Sequence, residues 1–221
     1  MDVREGIINL LSQIDGHRPF VLCIAGPNGA GKSTLYPELI EPILICADIG
    51  HIYLNADVVS KDIQGDSTGM EQMKADILAQ QIIRDTRKIL LSQEQSFVFE
   101  TVFSHHSKVE ELQLAREHGY VVLLIFVALE SIELSKHRVK RRVEFDKGHF
   151  VPEQKLETRF PNTLTNLASM VHIANGLLVL DNSAEDYPFQ VVAFGDSTET
   201  LTGPDFLQPL WVKLQDLPSA K

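Results

Sequence analysis

Phe20-Val21-Leu22-Cys23-Ile24-Ala25-Gly26-Pro27-Asn28-Gly29-Ala30-Gly31-Lys32-Ser33-Thr34 is the stretch that decides the fold. Six apolar residues run directly into the pattern G-x-x-x-x-G-K-[ST], which reads as a buried strand, a phosphate-binding loop and the start of a helix. Glycines let the backbone curl so that successive N–H groups point inward at a polyphosphate. A helix opening near Lys32 aims its positive end at the same anion. In that arrangement Lys32 reaches the β- and γ-phosphates of ATP and Ser33 holds Mg²⁺.

Working outward, Val3 to Ile14 predicts a short amphipathic helix before the first strand. The helix from Lys32 is expected to be interrupted around Pro37 or Pro42, since proline removes a backbone donor and crowds the preceding turn. His51 to Ala56 reads as a strand ending at Asp57. Apolar residues recur near helical spacing from Glu71 to Leu91, at Met73, Ile77, Leu78, Ile82, Ile89 and Leu90, which predicts a long helix with that face inward. Ser96 to Thr101 is a strand, and Lys108 to His118 a helix opened by a capping box at Ser107–Glu110 and closed by Gly119. The run Tyr120 to Leu129 has the composition of a strand buried on both faces of a parallel sheet.

A helix follows over Glu130 to Glu144, then an irregular segment, Asp146 to Val151. Pro152 starts a helix reaching about Ile173. Leu177 to Leu180 gives a last core strand, Phe189 to Phe194 an edge strand, and the tail a short helix around Leu207 to Leu214. Strands alternating with helices predict an α/β fold: a P-loop NTPase three-layer sandwich with a parallel central sheet and a small helical lid. The expected organisation is one domain, residues 1–221, with the lid at about 138–152 and a C-terminal appendage at about 184–221.

Across from the γ-phosphate the chain must place a group that does chemistry. Ligands of open parallel sheets collect at the carboxyl ends of the strands, where Asp57 falls. It is a candidate general base for a substrate hydroxyl, or else the cap of the next helix. Glu100 repeats that position after Phe97-Val98-Phe99, poised to orient the substrate or a magnesium-bound water. His105 and His106 lack partners at ligand spacing and read as loop residues. Between Lys136 and Lys147 lie six of the chain's 20 Lys and Arg residues, and Arg138, Arg141 and Arg142 fall at i, i+3 and i+4. Guanidinium groups there could clamp phosphoryl oxygens. Asp181 reads as structural, with Asn182 and Ser183 bordering the adenine.

Composition bounds the partners. With 20 Lys+Arg against 30 Asp+Glu the net charge is −10, which disfavours nucleic acid held by a broad basic surface. Tyr120 to Leu129 is about half the length of a membrane span, and Met1 to Gln13 has no long apolar signal core, so the expectation is a cytoplasmic protein without membrane contact. Two cysteines, Cys23 and Cys46, make no disulfide framework or zinc site and read as small buried hydrophobes.

The ordered set of the loop motif, Asn55-Ala56-Asp57, Phe99-Glu100-Thr101, the arginine cluster, Gly148-His149-Phe150-Val151-Pro152-Glu153 and Asp181-Asn182-Ser183 resembles the zeta toxin family of P-loop kinases, particularly its short bacterial members, over roughly residues 19–183. The resemblance implies ATP-dependent phosphorylation of the 3′-hydroxyl on the amino sugar of UDP-N-acetylglucosamine. It implies that Gly26 to Thr34 bind ATP·Mg²⁺ with Asn182 nearby, that Asp57 is the base, and that Asn55, Glu100 and Thr101 contact the sugar nucleotide. Arg138, Arg141 and Arg142 would stabilise the transferring phosphate, and Arg159 sits where the family places a further basic residue. A protein antitoxin is the implied macromolecular partner. Two departures bear on the acceptor: Glu100-Thr101-Val102 replaces Glu-Thr-Thr, and Lys147-Gly148-His149 replaces Gly-Gly-His. Another nucleotide sugar or a dinucleotide therefore stays open, as does a nucleotide-binding regulatory protein without an acceptor. A transporter-type ATPase is disfavoured, because the chain has no Leu-Ser-Gly-Gly-Gln-like signature.

Overall fold

The computed structural model describes residues 1–66, 72–146 and 151–195. Its elements in chain order are α1 (Val3–Leu11), β1 (Phe20–Ala25), α2 (Lys32–Leu35), a π-helical turn (Tyr36–Ile40), α3 (Glu41–Cys46), β2 (Ile52–Leu54), α4 (Ala56–Asp66), α5 (Gln72–Ser92), β3 (Phe97–Thr101), α6 (Ser107–Glu117), β4 (Val121–Ala128), α7 (Ile132–Asp146), α8 (Glu153–Met170), β5 (Gly176–Asp181) and β6 (Gln190–Gly195). Six strands form one sheet in the order β2-β3-β1-β4-β5-β6. The first five run parallel and β6 pairs antiparallel with β5, so residues 190–195 complete the sheet at its edge.

Both strands beside β1 are reached by crossovers, which opens a crevice at the carboxyl end of β1. Side-chain alternation divides the core in two. Val21, Cys23 and Ala25 of β1 face a layer filled from α5, α6 and α8, by residues such as Ile83, Leu112 and Met170. Phe20, Leu22 and Ile24 face the opposite layer, filled by Ile7 and Leu10 of α1 and by Leu35, Tyr36, Ile40 and Leu44. β4 is buried along its whole length, as its continuous apolar run predicts.

Four local expectations are corrected. Pro37 and Pro42 do not break the helix; the chain widens to a π turn, with the Glu41 N–H donating to the Tyr36 carbonyl, and continues helically to Cys46. On α5 the apolar residues named above, except Leu90, face outward, Met73 at 63% and Ile77 at 53% exposure, while the inward face is Ala75, Ala79, Ile83, Arg87 and Leu90. Arg87 is covered because it pairs with Glu111 on α6, which also accepts from Lys108 at 2.9 Å, and lies 4.8 Å over the Phe99 ring. No capping box forms at α6: His106 occupies the N-cap without a side-chain cap, and the Ser107 hydroxyl is 2.8 Å from His105 Nδ1. Cys23 is buried, but Cys46, at the end of α3, is exposed. The helix expected at Leu207 to Leu214 and the motif residues Gly148 to Phe150 lie outside the described residues.

Candidate active site

The loop after β1 is held from outside by its neighbours. Ser135 on α7 donates to the Asn28 carbonyl at 2.7 Å, and Asn182, after β5, donates to the Ala30 carbonyl at 2.8 Å. A trans peptide sets each carbonyl antiparallel to the next residue's N–H, so the Gly29 and Gly31 amides turn away from these clamps. Two glycines are dictated by contact as well as conformation. Gly26 (φ +148°) leaves no room for a Cβ, which would sit 2.3 Å from the Val127 carbonyl oxygen. Gly31 (φ +93°) would place one 2.6 Å from Asn182 Nδ2. Gly31 is the N-cap of α2 with no side chain to offer, which leaves the first N–H groups of that helix for a ligand.

Lys32 curls back over the loop and donates to the Gly26 and Pro27 carbonyls at 2.9 and 3.0 Å. Burial is the main cause that lowers its pKa to about 8, against the opposing pull of Glu100 and Asp57. An ammonium held by carbonyls alone, under a cradle of amides, fits a polyphosphate that would supply the missing negative charge. Ser33 follows it and donates to Glu100 Oε2 at 2.8 Å. A serine hydroxyl with its proton given to a carboxylate keeps its lone pairs for a hard cation, so Ser33 and Glu100 fit Mg²⁺. Thr34 is exposed in the first turn of α2, with its N–H on the Gly31 carbonyl at 3.1 Å.

Asp57 lies in the first turn of α4 and not at the end of β2. It does not cap that helix: Asn55 does, its Oδ1 accepting from the Asp57 N–H at 2.8 Å. The Asp57 carboxylate has no hydrogen bond or salt bridge to a described residue. It lines a cleft of about 460 Å³ with Ser33, Tyr53, Asn55, Lys61 and Arg142. Glu100 stands behind that lining, bonded to Ser33 and Tyr53, whereas Thr101 is turned back into its own loop, accepting from the Phe103 N–H at 3.0 Å.

The structure separates the three arginines of α7. Arg138 donates from Nη1 to the Asn182 carbonyl (2.7 Å) and from Nη2 to the Ser183 carbonyl (3.2 Å), and Arg141 contacts Glu185 at 3.3 Å. Both guanidiniums stand on the loop after β5, and only Arg142 reaches the cleft with Ser33 and Asp57. Its Nε is buried and has no hydrogen-bond partner among the described residues, an orphaned donor on a residue that lines the cleft. Arg159, on α8, is half-buried, and burial lowers its pKa. Asn182 braces the loop and accepts from the Phe189 N–H at 3.3 Å, so its amide is already committed.

Sequence reasoning missed two tyrosines. Tyr36 and Tyr53 stack with ring centroids 3.7 Å apart, and the Tyr53 hydroxyl donates to Glu100 Oε1. Strand alternation was the available signal, since it puts Tyr53 on the side of β2 opposite Ile52 and Leu54, where Tyr36 lies.

The family model described as Zeta toxin matches residues 9–186. The chain belongs to the zeta toxin family. An uncharacterised protein of Haemophilus influenzae is 27% identical over 135 residues, which span 61% of this chain and 88% of that protein. Among solved structures, one from the PezAT chromosomal toxin–antitoxin system of Streptococcus pneumoniae has a TM-score of 0.60 at 19% identity, covering 94% of this chain and 85% of that one. AvrRxo1-ORF1:-ORF2 with ATP gives 0.67 at 18% identity, over 99% and 71% of the two chains. A putative kinase of Chloroflexus aurantiacus gives 0.53 at 15% identity, over 89% and 95%. These similarities show the P-loop kinase fold, with a mostly parallel sheet between layers of helices. No helix among the described residues is long and apolar enough to cross a membrane.

Proposed function

We propose that this zeta toxin family protein is an ATP-dependent kinase of a small cytoplasmic molecule, transferring the γ-phosphate to a sugar hydroxyl of a nucleotide sugar, with the 3′-hydroxyl of UDP-N-acetylglucosamine as the first acceptor to try. The observation that carries the reading is the Asp57 carboxylate, which makes no hydrogen bond or salt bridge to a described residue and shares a cleft with Ser33 and Arg142. Gly26, Pro27, Asn28, Gly29, Ala30, Gly31 and Thr34 form the cradle for the nucleotide's phosphates, and Lys32 neutralises the β/γ oxygens. Ser33, steadied by Glu100, would hold Mg²⁺, whose charge offsets that building on the phosphoryl group.

Asp57 takes the proton of the acceptor hydroxyl as that oxygen bonds to Pγ. The bond from Pγ to the β-bridging oxygen breaks, ADP departs, and the orphaned Arg142 Nε–H meets the equatorial oxygens. Arg138 and Arg141 serve the nucleotide side by fixing the 182–185 loop. Lys61 and Arg142 give the acceptor half a cationic lining suited to a phosphorylated acceptor. Asn55 orients Asp57, and Arg159 on α8 is a reserve cation for the phosphates. A protein partner that covers the cleft, as an antitoxin would, is consistent with the toxin–antitoxin system represented among its structural relatives.

The test is incubation with Mg²⁺·ATP and a panel of nucleotide sugars, nucleosides and dinucleotides, read by mass spectrometry for a product heavier by one phosphoryl group. A product made by the native chain and by neither Lys32→Ala nor Asp57→Asn is expected. An Asp57→Asn variant as active as the native chain would reject the base assignment.

A further inference from the structure

One directed chain of hydrogen bonds crosses the cleft floor, and its middle member has no role in the chemistry above. Asn55 Oδ1 is fixed by the Asp57 N–H, which orients the amide so that Nδ2 donates to the Tyr53 hydroxyl at 3.0 Å. Tyr53 has one proton, and it goes to Glu100 Oε1. Ser33 has one proton, and it goes to Glu100 Oε2 at 2.8 Å. Every donor in the chain points toward Glu100. Both carboxylate oxygens are engaged, each by a hydroxyl on a different element, so neither rotation of the carboxylate nor a turn of the Ser33 hydroxyl is free.

The Tyr53 ring is fixed too, stacked on Tyr36 with an interplanar angle of 2°. Tyr36 is in turn 2.8 Å from His51 Nε2 through its hydroxyl, and Tyr36 is buried in the core layer beneath the loop. A rigid aromatic pair anchored in the core thus holds the carboxylate that accepts the proton of the cation-ligating serine.

We propose that Tyr53 is a positioning residue. Its hydroxyl locks the Glu100 carboxylate so that the Ser33 lone pairs stay aimed at the metal position, and through Asn55 it ties that geometry to the turn carrying Asp57. The inference rests on the kinase reading of the cleft, and it adds a residue that acts on the cation through Glu100 and Ser33. Removing one hydrogen bond to a charged group costs about 1.5 kcal/mol, roughly a tenfold change in an equilibrium constant.

Tyr53→Phe tests it, because the substitution keeps the stacked ring and deletes only the hydroxyl. Mn²⁺ is the metal probe, its binding to the full chain followed by electron paramagnetic resonance in the presence of a non-hydrolysable ATP analogue. Tyr53→Phe is expected to bind Mn²⁺ about tenfold more weakly, to bind the analogue in EDTA as the native chain does, and to melt at the native temperature. In turnover, its half-saturating Mg²⁺ rises and excess Mg²⁺ restores the rate, a rescue that general loss of structure would not allow. Mn²⁺ affinity within twofold of native overturns the proposal, and so does an equal loss of analogue binding in EDTA. A native chain that binds neither the analogue nor Mn²⁺ with it overturns the kinase reading and this inference together.

Discussion

Gly31→Ala isolates how the loop is built. At φ +93° an L-residue costs about 1–2 kcal/mol in backbone strain. The new Cβ would lie 2.6 Å from Asn182 Nδ2, so the amide must leave the Ala30 carbonyl to which it donates at 2.8 Å. Stranding a covered carbonyl adds about 1–3 kcal/mol. Together these predict about 3 kcal/mol of destabilisation, or a fall in Tm of about 6–12 °C for a domain of this size. Thermal and urea denaturation of the native chain, Gly31→Ala, Asn182→Ala and the double variant form a complete cycle. Once Asn182 is gone the methyl meets no amide, so Gly31→Ala should then cost its backbone strain and the slight shift of the Phe189 ring, whose nearest carbon is 3.3 Å from the Cβ position. A coupling of about 1–2 kcal/mol is expected. Additivity within about 0.5 kcal/mol would refute the contact argument and leave the strain alone to explain the glycine.

Three further outcomes are expected. Glu111→Gln leaves Arg87, whose side chain is 4% exposed, without its carboxylate, and should cost about 3–5 kcal/mol in chemical denaturation. Burial pushes the Glu111 pKa up, but the hydrogen bonds and charges of Arg87 and Lys108 outweigh it and the net shift is downward. A depressed folded pKa means that this stability is fully present above the unfolded value of about 4.3 and is lost as pH falls below it, so the native chain should show an acid-labile component that Glu111→Gln lacks. Arg142→Ala should lower kcat by about 100-fold or more, whereas Arg138→Ala, which frees the 182–183 carbonyls, should raise the KM for ATP with a smaller effect on kcat; the reverse split would exchange their roles. Thiol titration should find one reactive cysteine in the native protein, the exposed Cys46, and two after denaturation, because Cys23 is buried and its thiol pKa is pushed up by that burial.

The strands were legible because burial on both faces leaves a continuous apolar run, as in β4, and the loop was legible because a strand, spaced glycines and Lys-Ser can serve few other purposes. The α5 face was not. Periodicity counts apolar residues, but what turns inward there is Ala75 and Ala79, small enough to let α4 approach, and Arg87, made buriable by a carboxylate 24 positions away. The separate destinations of the three arginines were hidden for a similar reason. Arg138, Arg141 and Arg142 share a helical face in isolation, yet the rotation of α7 is set by Ser135 and Val139, both buried against the loop, and that rotation delivers Arg138 to the 182–183 carbonyls and Arg142 to the cleft.

Asp57 shows why position along a strand is weaker evidence than position in a hydrogen-bond network. From the sequence, base and helix cap were both open, since either would put a carboxylate where β2 ends. The backbone settles the cap in favour of Asn55, whose Oδ1 takes the Asp57 N–H while its Nδ2 is spent on Tyr53. With that donor satisfied by a neighbour, the Asp57 carboxylate is released from structural duty at the mouth of a cleft that also holds Ser33 and a guanidinium with an unmet N–H. A carboxylate that makes no hydrogen bond or salt bridge to a described residue, beside a buried donor that finds no acceptor among them, is an arrangement that folding alone does not favour, and under the proposed kinase reading a phosphoryl donor and an acceptor hydroxyl would complete it.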